Sequence, residues 1–355
     1  MPVTKQRSRL DVLDYLRGFF IVVIIIDHLS RWPSAFSLFT GQAWLWITAA
    51  EGFVIISGLL IGYVRGYKSK ELPFATVTKK LLLRALLLYA WSIIATIVYT
   101  AVIWYVPLRG GAQTLPMDVG DWPGLILQTV TLTYTNVWVH FLALYAIFLA
   151  ASPVAVWLLR RGQAAFVIMI SLLLLGLGWQ LQSEVLQWQA LFFIPSVAGY
   201  YLPSIKIRWQ ALAVKTRRTL VASIMAFTSL TIMLSVITTF HAQLVPELAD
   251  SLNAAFPKET ISLWRLVLAL IWFGGFLLLF IAARPWIKKW LGWLLMPIGS
   301  RSLTAYILHG LALCIISFLT VRGDNIFINT LLGAAAVLIV WGLVRIPFVQ
   351  KIIPR

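Results

Sequence analysis

Apolar runs close to the length a helix needs to cross a bilayer recur along this chain, and no other feature constrains its fold so tightly. About 20 consecutive apolar residues carry an α-helix across roughly 30 Å of hydrocarbon, with each helix satisfying its own backbone polar groups. The runs lie at Leu13 to Leu29, Trp44 to Val64, Leu82 to Val106, Val137 to Leu159 and Ala164 to Leu181. They continue at Ala190 to Ile205, Leu220 to Phe240, Ile261 to Ala283, Leu303 to Thr320 and Ile326 to Val344. The expected fold is therefore an all-α polytopic membrane protein of about ten transmembrane helices, forming one domain over residues 1–355. With 61% hydrophobic and 12% charged residues, water is excluded as the main solvent.

The formal charge of +17 raises nucleic acid as a partner. Its placement argues for topology instead, because Lys79-Lys80, Arg160-Arg161, Lys215 to Arg218 and Lys288-Lys289 fall between apolar runs. Cytoplasmic N- and C-termini leave only Arg31, Arg109, Lys258, Arg265 and Arg322 outside, of 29 Lys and Arg. The outer loops Pro107 to Pro123 and His241 to Thr260 are too short for a soluble domain. Asp121 to Asn136 reads as an interfacial or re-entrant helix on the outer side, and Trp286 to Ile298 as a similar element on the inner face. The basic start leads into a run interrupted by Arg17, Asp27 and His28, so the first span reads as retained rather than cleaved. The single cysteine, Cys314, supports neither a disulfide nor a cysteine-metal framework.

Ionisable side chains inside spans are expensive and mark functional candidates. The first span carries Asp11, Asp14, Arg17, Asp27 and His28. At about 100° per residue, Arg17 and His28 lie within about 20° of one helix face, roughly 16 Å apart along the axis. Histidine takes and returns a proton near neutral pH, and arginine suits phosphate or carboxylate. Together they suit a reaction with a phosphate-bearing donor on the cytoplasmic side and an acceptor hydroxyl deprotonated deeper in. A purely structural reading stands beside this one: Asp27 pairs with Arg31 at i, i+4, His28 sits at headgroup level and Arg17 snorkels.

Glu51, at the start of the second span, stands at a depth similar to His28 and is a candidate to orient its imidazole or bind the acceptor. Ser57, Gly58 and Gly62 have the small-residue spacing of close helix packing. Arg84 lies past the start of the third apolar run, one turn after Lys80. His140, Trp188, Gln189, Tyr306 and His309 are secondary candidates, a lone histidine in an apolar helix being commonly packed and hydrogen-bonded. No P-loop, dinucleotide fingerprint, HExxH or Gly-x-Ser-x-Gly pattern occurs.

The motifs Arg9-Leu10-Asp11, Leu16-Arg17-Gly18, Ile26-Asp27-His28, Ala49-Ala50-Glu51, Phe53-Val54 and Ser57-Gly58 resemble the OpgC-type membrane proteins. These belong with the type 3 membrane acyltransferases and are named for succinylation of osmoregulated periplasmic glucans. Later echoes are Ala143-Leu144-Tyr145, Trp188-Gln189 and Gly299 to Leu303. The resemblance implies a multi-pass O-acyltransferase of the bacterial inner membrane, moving acetyl or succinyl from cytoplasmic acyl-coenzyme A to a hydroxyl of a periplasmic or cell-envelope glycan, with no metal. It assigns catalysis to His28, with Asp27 and Glu51 beside it in the pattern, and donor binding to Arg17, Lys80 and Arg84. The family's basic third-span motif is represented here without its arginine pair. From another class, a transporter or flippase for an anionic sugar or lipid-linked substrate also fits ten helices with intramembrane charge.

Overall fold

The computed structural model describes residues 4–106 and 115–353, with side chains from residue 11 onward. Arg109, expected in an outer loop, and the side chains of Arg9 and Leu10 lie outside the described residues. Every described element is a helix. In chain order they are α1 (Thr4–Leu29), α2 (Ser37–Thr40), α3 (Ala49–Leu60), α4 (Phe74–Tyr105), α5 (Trp122–Val130) and α6 (His140–Arg160). Then come α7 (Ala164–Gln180), α8 (Glu184–Trp188), α9 (Ala190–Tyr200), α10 (Leu202–Ala211), α11 (Val214–Phe240) and α12 (Pro246–Ala255). The last are α13 (Leu263–Ala282), α14 (Arg284–Trp290), α15 (Gly292–Ser300), α16 (Ser302–Leu319), α17 (Ile326–Arg345) and α18 (Pro347–Ile352). A π-helical stretch, Ile61–Tyr67, extends α3.

Among the described residues, seven helices are long and apolar enough to cross a membrane, namely α3 with its extension, α4, α6, α11, α13, α16 and α17. Three expected spans differ from these. The first falls in α1, which has 26 residues but carries Asp14, Arg17 and Asp27 within its apolar part. A second, α7, has 17 residues. The third, expected as a continuous helix from Ala190 to Ile205, is broken: Glu184–Tyr200 and Leu202–Ala211 meet at a bend of 61°. Pro203 stands in the first turn of α10, where a residue without an N–H opens a new helix rather than continuing the old one.

The segment expected as an outer interfacial helix forms α5, nine residues long, with the Asp121 carboxylate accepting from the Gly124 amide at 2.9 Å. The Trp286 to Ile298 segment is two short helices, α14 and α15, separated at Leu291.

The chain divides into two compact units, each drawn from distant stretches. The first comprises Met1–Gln42, Arg84–Ile147 and Lys288–Arg355. There α1 packs on α15, α16 and α17, and its closest approach is to α15. A side chain at Gly18 would collide with the Leu295 carbonyl, and one at Gly299 with the Asp14 carbonyl. Two backbones therefore touch at the level of Arg17. The second unit comprises Ala43–Leu83 and Phe148–Ile287, and is organised around α3 and its extension against α9. Gly58 abuts the Phe192 carbonyl and Gly62 the Ser196 carbonyl, so the small residues of this span serve close packing.

Gly299→Ala is expected to destabilise the protein by about 1–3 kcal/mol through overpacking. Gly342→Ala, where an added methyl meets nothing within 4 Å, is expected to be neutral or better. Thermal unfolding of the two purified variants in detergent checks the contrast.

Candidate active site

The first unit contains the ionisable stripe of α1. Arg17 is half-buried, with its Nη1 3.9 Å from the Asp14 carboxylate one turn earlier. Its Nε is buried and has no hydrogen-bond partner among the described residues. Tyr145 of α6 lies within electrostatic reach. A guanidinium held at a backbone-to-backbone helix contact, with donors left over, suits an oxyanion such as a phosphate.

Twelve residues on, α1 ends at Leu29. Ser30 adopts a left-handed φ of 52°, and its hydroxyl donates to the Asp27 carbonyl at 2.8 Å. His28 therefore sits in the last turn, beside the buried Asp27. Its Nδ1 lies 2.9 Å from Nε2 of His309, with ring centroids 5.1 Å apart. His309 is fully buried on α16, and its own Nδ1 is hydrogen-bonded to the Tyr306 carbonyl three residues earlier. The Tyr99 hydroxyl of α4 donates to the next carbonyl, that of Ile307. The two histidines are 281 residues apart in sequence and share no motif. No spacing rule joins them, and only the intramembrane placement of both signals the pairing.

Arg31, one turn after Asp27, reaches across to α16. Its Nη2 donates to both the carbonyl and the hydroxyl of Thr320, at 2.9 Å each. That bond ties the loop after α1 to the end of α16.

In the second unit Glu51 is buried and fully engaged. Thr48 and Glu51 form a reciprocal cap at the start of α3: the Thr48 amide donates to Oε2 at 3.0 Å and the Thr48 hydroxyl at 2.5 Å. Oε1 accepts from Nε and Nη2 of Arg265 at 2.9 and 2.5 Å. Arg265, expected among the outer basic residues, is 3% exposed, and its Nη1 donates to the carbonyls of Pro257, Lys258 and Thr260. One guanidinium thus joins α13, the preceding loop and the cap of α3. The sequence placed Glu51 in a span but gave no sign of its partner, 214 residues away.

Lys80 is exposed on α4 and Arg84, one turn later, is half-buried. Among the secondary candidates, His140 bonds Thr135 at 2.6 Å, and the Gln189 side chain donates to the Ser171 carbonyl at 2.8 Å. Trp188 lies under the Arg265 guanidinium at 5.9 Å. These contacts hold helices and loops together. Among the described residues no group of three or more His, Cys, Asp or Glu is placed to hold a metal ion.

Compared with known proteins, the chain matches the family model described as OpgC protein over residues 9–351, nearly its whole length. No curated protein and no solved structure matches it.

Removing one partner of a buried ion pair leaves an uncompensated charge and costs about 3–5 kcal/mol. Arg265→Ala is expected to lower the unfolding temperature sharply and Glu51→Gln somewhat less, since Gln still accepts from Thr48. The double variant Glu51→Leu with Arg265→Met is expected to recover the part of the loss that comes from the stranded charge, and not the part that comes from the freed loop carbonyls and Thr48 amide, which a double-mutant cycle of thermal unfolding measures.

Proposed function

The chain belongs to the OpgC protein family, and from that premise we propose that it is a membrane O-acyltransferase with cytoplasmic termini, moving an acetyl or succinyl group from acyl-coenzyme A to a hydroxyl of a glucan of the bacterial envelope. Family membership supports membrane-bound acyl modification of glucans. The single observation that carries the finer reading is the α1 stripe, with a guanidinium holding spare donors at one end and an imidazole at the other.

The donor carries its phosphates and its thioester at opposite ends of a long flexible arm. Roughly 16 Å of helix between Arg17 and His28 suits that arrangement. Arg17 takes the phosphates, while Lys80 and Arg84 stay the donor-binding residues that the family resemblance implies. His28 accepts the proton of the acceptor hydroxyl as its oxygen attacks the thioester carbonyl. The C–S bond of the tetrahedral adduct then breaks, and the proton held by His28 passes to the leaving thiolate. The products are an O-acyl ester and free thiol, with His28 neutral again. Holding both reactants on one rigid helix gives the encounter the advantage of an intramolecular reaction.

The 61° bend between Glu184–Tyr200 and Leu202–Ala211 favours a second reading, since carriers use broken helices at their substrate sites. Binding of acyl-coenzyme A to the purified protein separates the two, because a carrier for an anionic sugar has no use for it.

His28→Ala is expected to lower glucan acylation by about 10²–10⁴-fold. Mass spectrometry of envelope glucans from cells carrying each variant reads the effect, and undiminished acylation by properly inserted protein ends the proposal. Arg17→Gln is expected to raise KM for the donor more than it lowers kcat, because a ground-state phosphate contact is lost.

A further inference from the structure

The histidine pair contains more information than the presence of a base. A backbone carbonyl only accepts hydrogen bonds, so the bond between His309 and the Tyr306 carbonyl requires a proton on His309 Nδ1. A neutral imidazole carries one N–H, so His309 Nε2 is then an acceptor. That nitrogen faces His28 Nδ1 at 2.9 Å, and the contact is a hydrogen bond only if His28 Nδ1 is the donor. His28 is thereby left with its lone pair on Nε2, on the far side of the ring.

We propose that His309 is a positioning residue: it receives the His28 Nδ1 proton, fixes that ring in one tautomer and orientation, and so makes Nε2 the atom that takes the acceptor's proton. The inference rests on the acyl-transfer reading for its kinetic consequence, but the tautomer stands on the geometry alone. An imidazole with no partner for its second nitrogen samples both tautomers and rotates about its side-chain bonds, and only a fraction of its conformers present a lone pair to the substrate. His309 removes that freedom without bringing a charge into the apolar interior. A carboxylate in the same place would orient the ring equally well, at the desolvation cost of an anion. Burial of His309 and the hold of Tyr99 on the neighbouring Ile307 carbonyl keep the acceptor nitrogen still.

The test uses the full-length protein in lipid nanodiscs with 15N-labelled histidine, a tractable label because the chain has four histidines. In the wild type, His28 is expected to show a protonated Nδ1 and an unprotonated Nε2. His309→Leu removes the acceptor, and is expected to mix or reverse that pattern and to lower kcat by about 100-fold or more while KM for the donor stays within a factor of about two. His309→Gln, whose side-chain carbonyl offers an acceptor again, is expected to restore much of the rate and the Nδ1-protonated pattern. A wild-type His28 carrying its proton on Nε2 overturns the proposal, and so does a His309→Leu enzyme of full activity beside an inactive His28→Ala. Should His309→Leu fail to fold, the wild-type spectrum and the His309→Gln rate still decide the matter. If His28→Ala keeps full activity while the wild-type tautomer is as stated, the acyl-transfer reading fails and the tautomer assignment survives.

Discussion

A charged or ring side chain placed in an apolar helix loses water on both sides and, unlike a serine or threonine that can bond its own helix, must find its partner elsewhere. In each unit of this protein that requirement selects which segments meet. Glu51 brings the cap of α3 to Arg265 of α13, and His28 brings the end of α1 to α16. On a smaller scale, the Trp272 indole of α13 donates to the Thr231 hydroxyl of α11 at 2.8 Å. Apolar packing between helices is permissive in lipid, where the tails are as greasy as leucine. Polar pairs are specific, because the alternative is an unsatisfied group in hydrocarbon.

Close backbone contact is the second organising element. α1 and α15 approach so nearly at Gly18 and Gly299 that neither position accepts a methyl group. The approach lies one residue from Arg17, so the guanidinium sits on a rigid support rather than on a mobile loop. His28 is carried by the same helix, and its spacing from Arg17 is set by helix geometry alone. α1 thus acts as a ruler, with Ser30 closing it two residues after the imidazole.

Much of this architecture was legible in the sequence wherever a property is local. Apolar runs mark α3, α4, α6, α11, α13, α16 and α17, and the Gly58 and Gly62 spacing announces a close helix contact, though not that its partner is α9. The break at Tyr201 was missed because hydropathy averages over a bend, although Pro203 was there to be read. What stayed hidden is pairwise. Arg265 was counted with the outer basic residues because it stands just inside the outer end of an apolar run, and nothing near it in the sequence mentions Glu51. His309 looked like an ordinary packed histidine, and packed it is. Its partner lies at the other end of the chain, and the tautomer it imposes follows only from two hydrogen bonds in succession through its ring.

The grip of Arg265 on Glu51 and on three loop carbonyls also bears on how such a chain can change over generations. Either residue replaced alone strands a charge in a place water does not reach, and loss of Arg265 also frees three loop carbonyls. Any lineage that discards the pair must lose both members nearly together, passing through a poorly folded ancestor or a compensating neighbour. The two positions therefore behave as one heritable character, and the shape of the loop before α13 is inherited along with it.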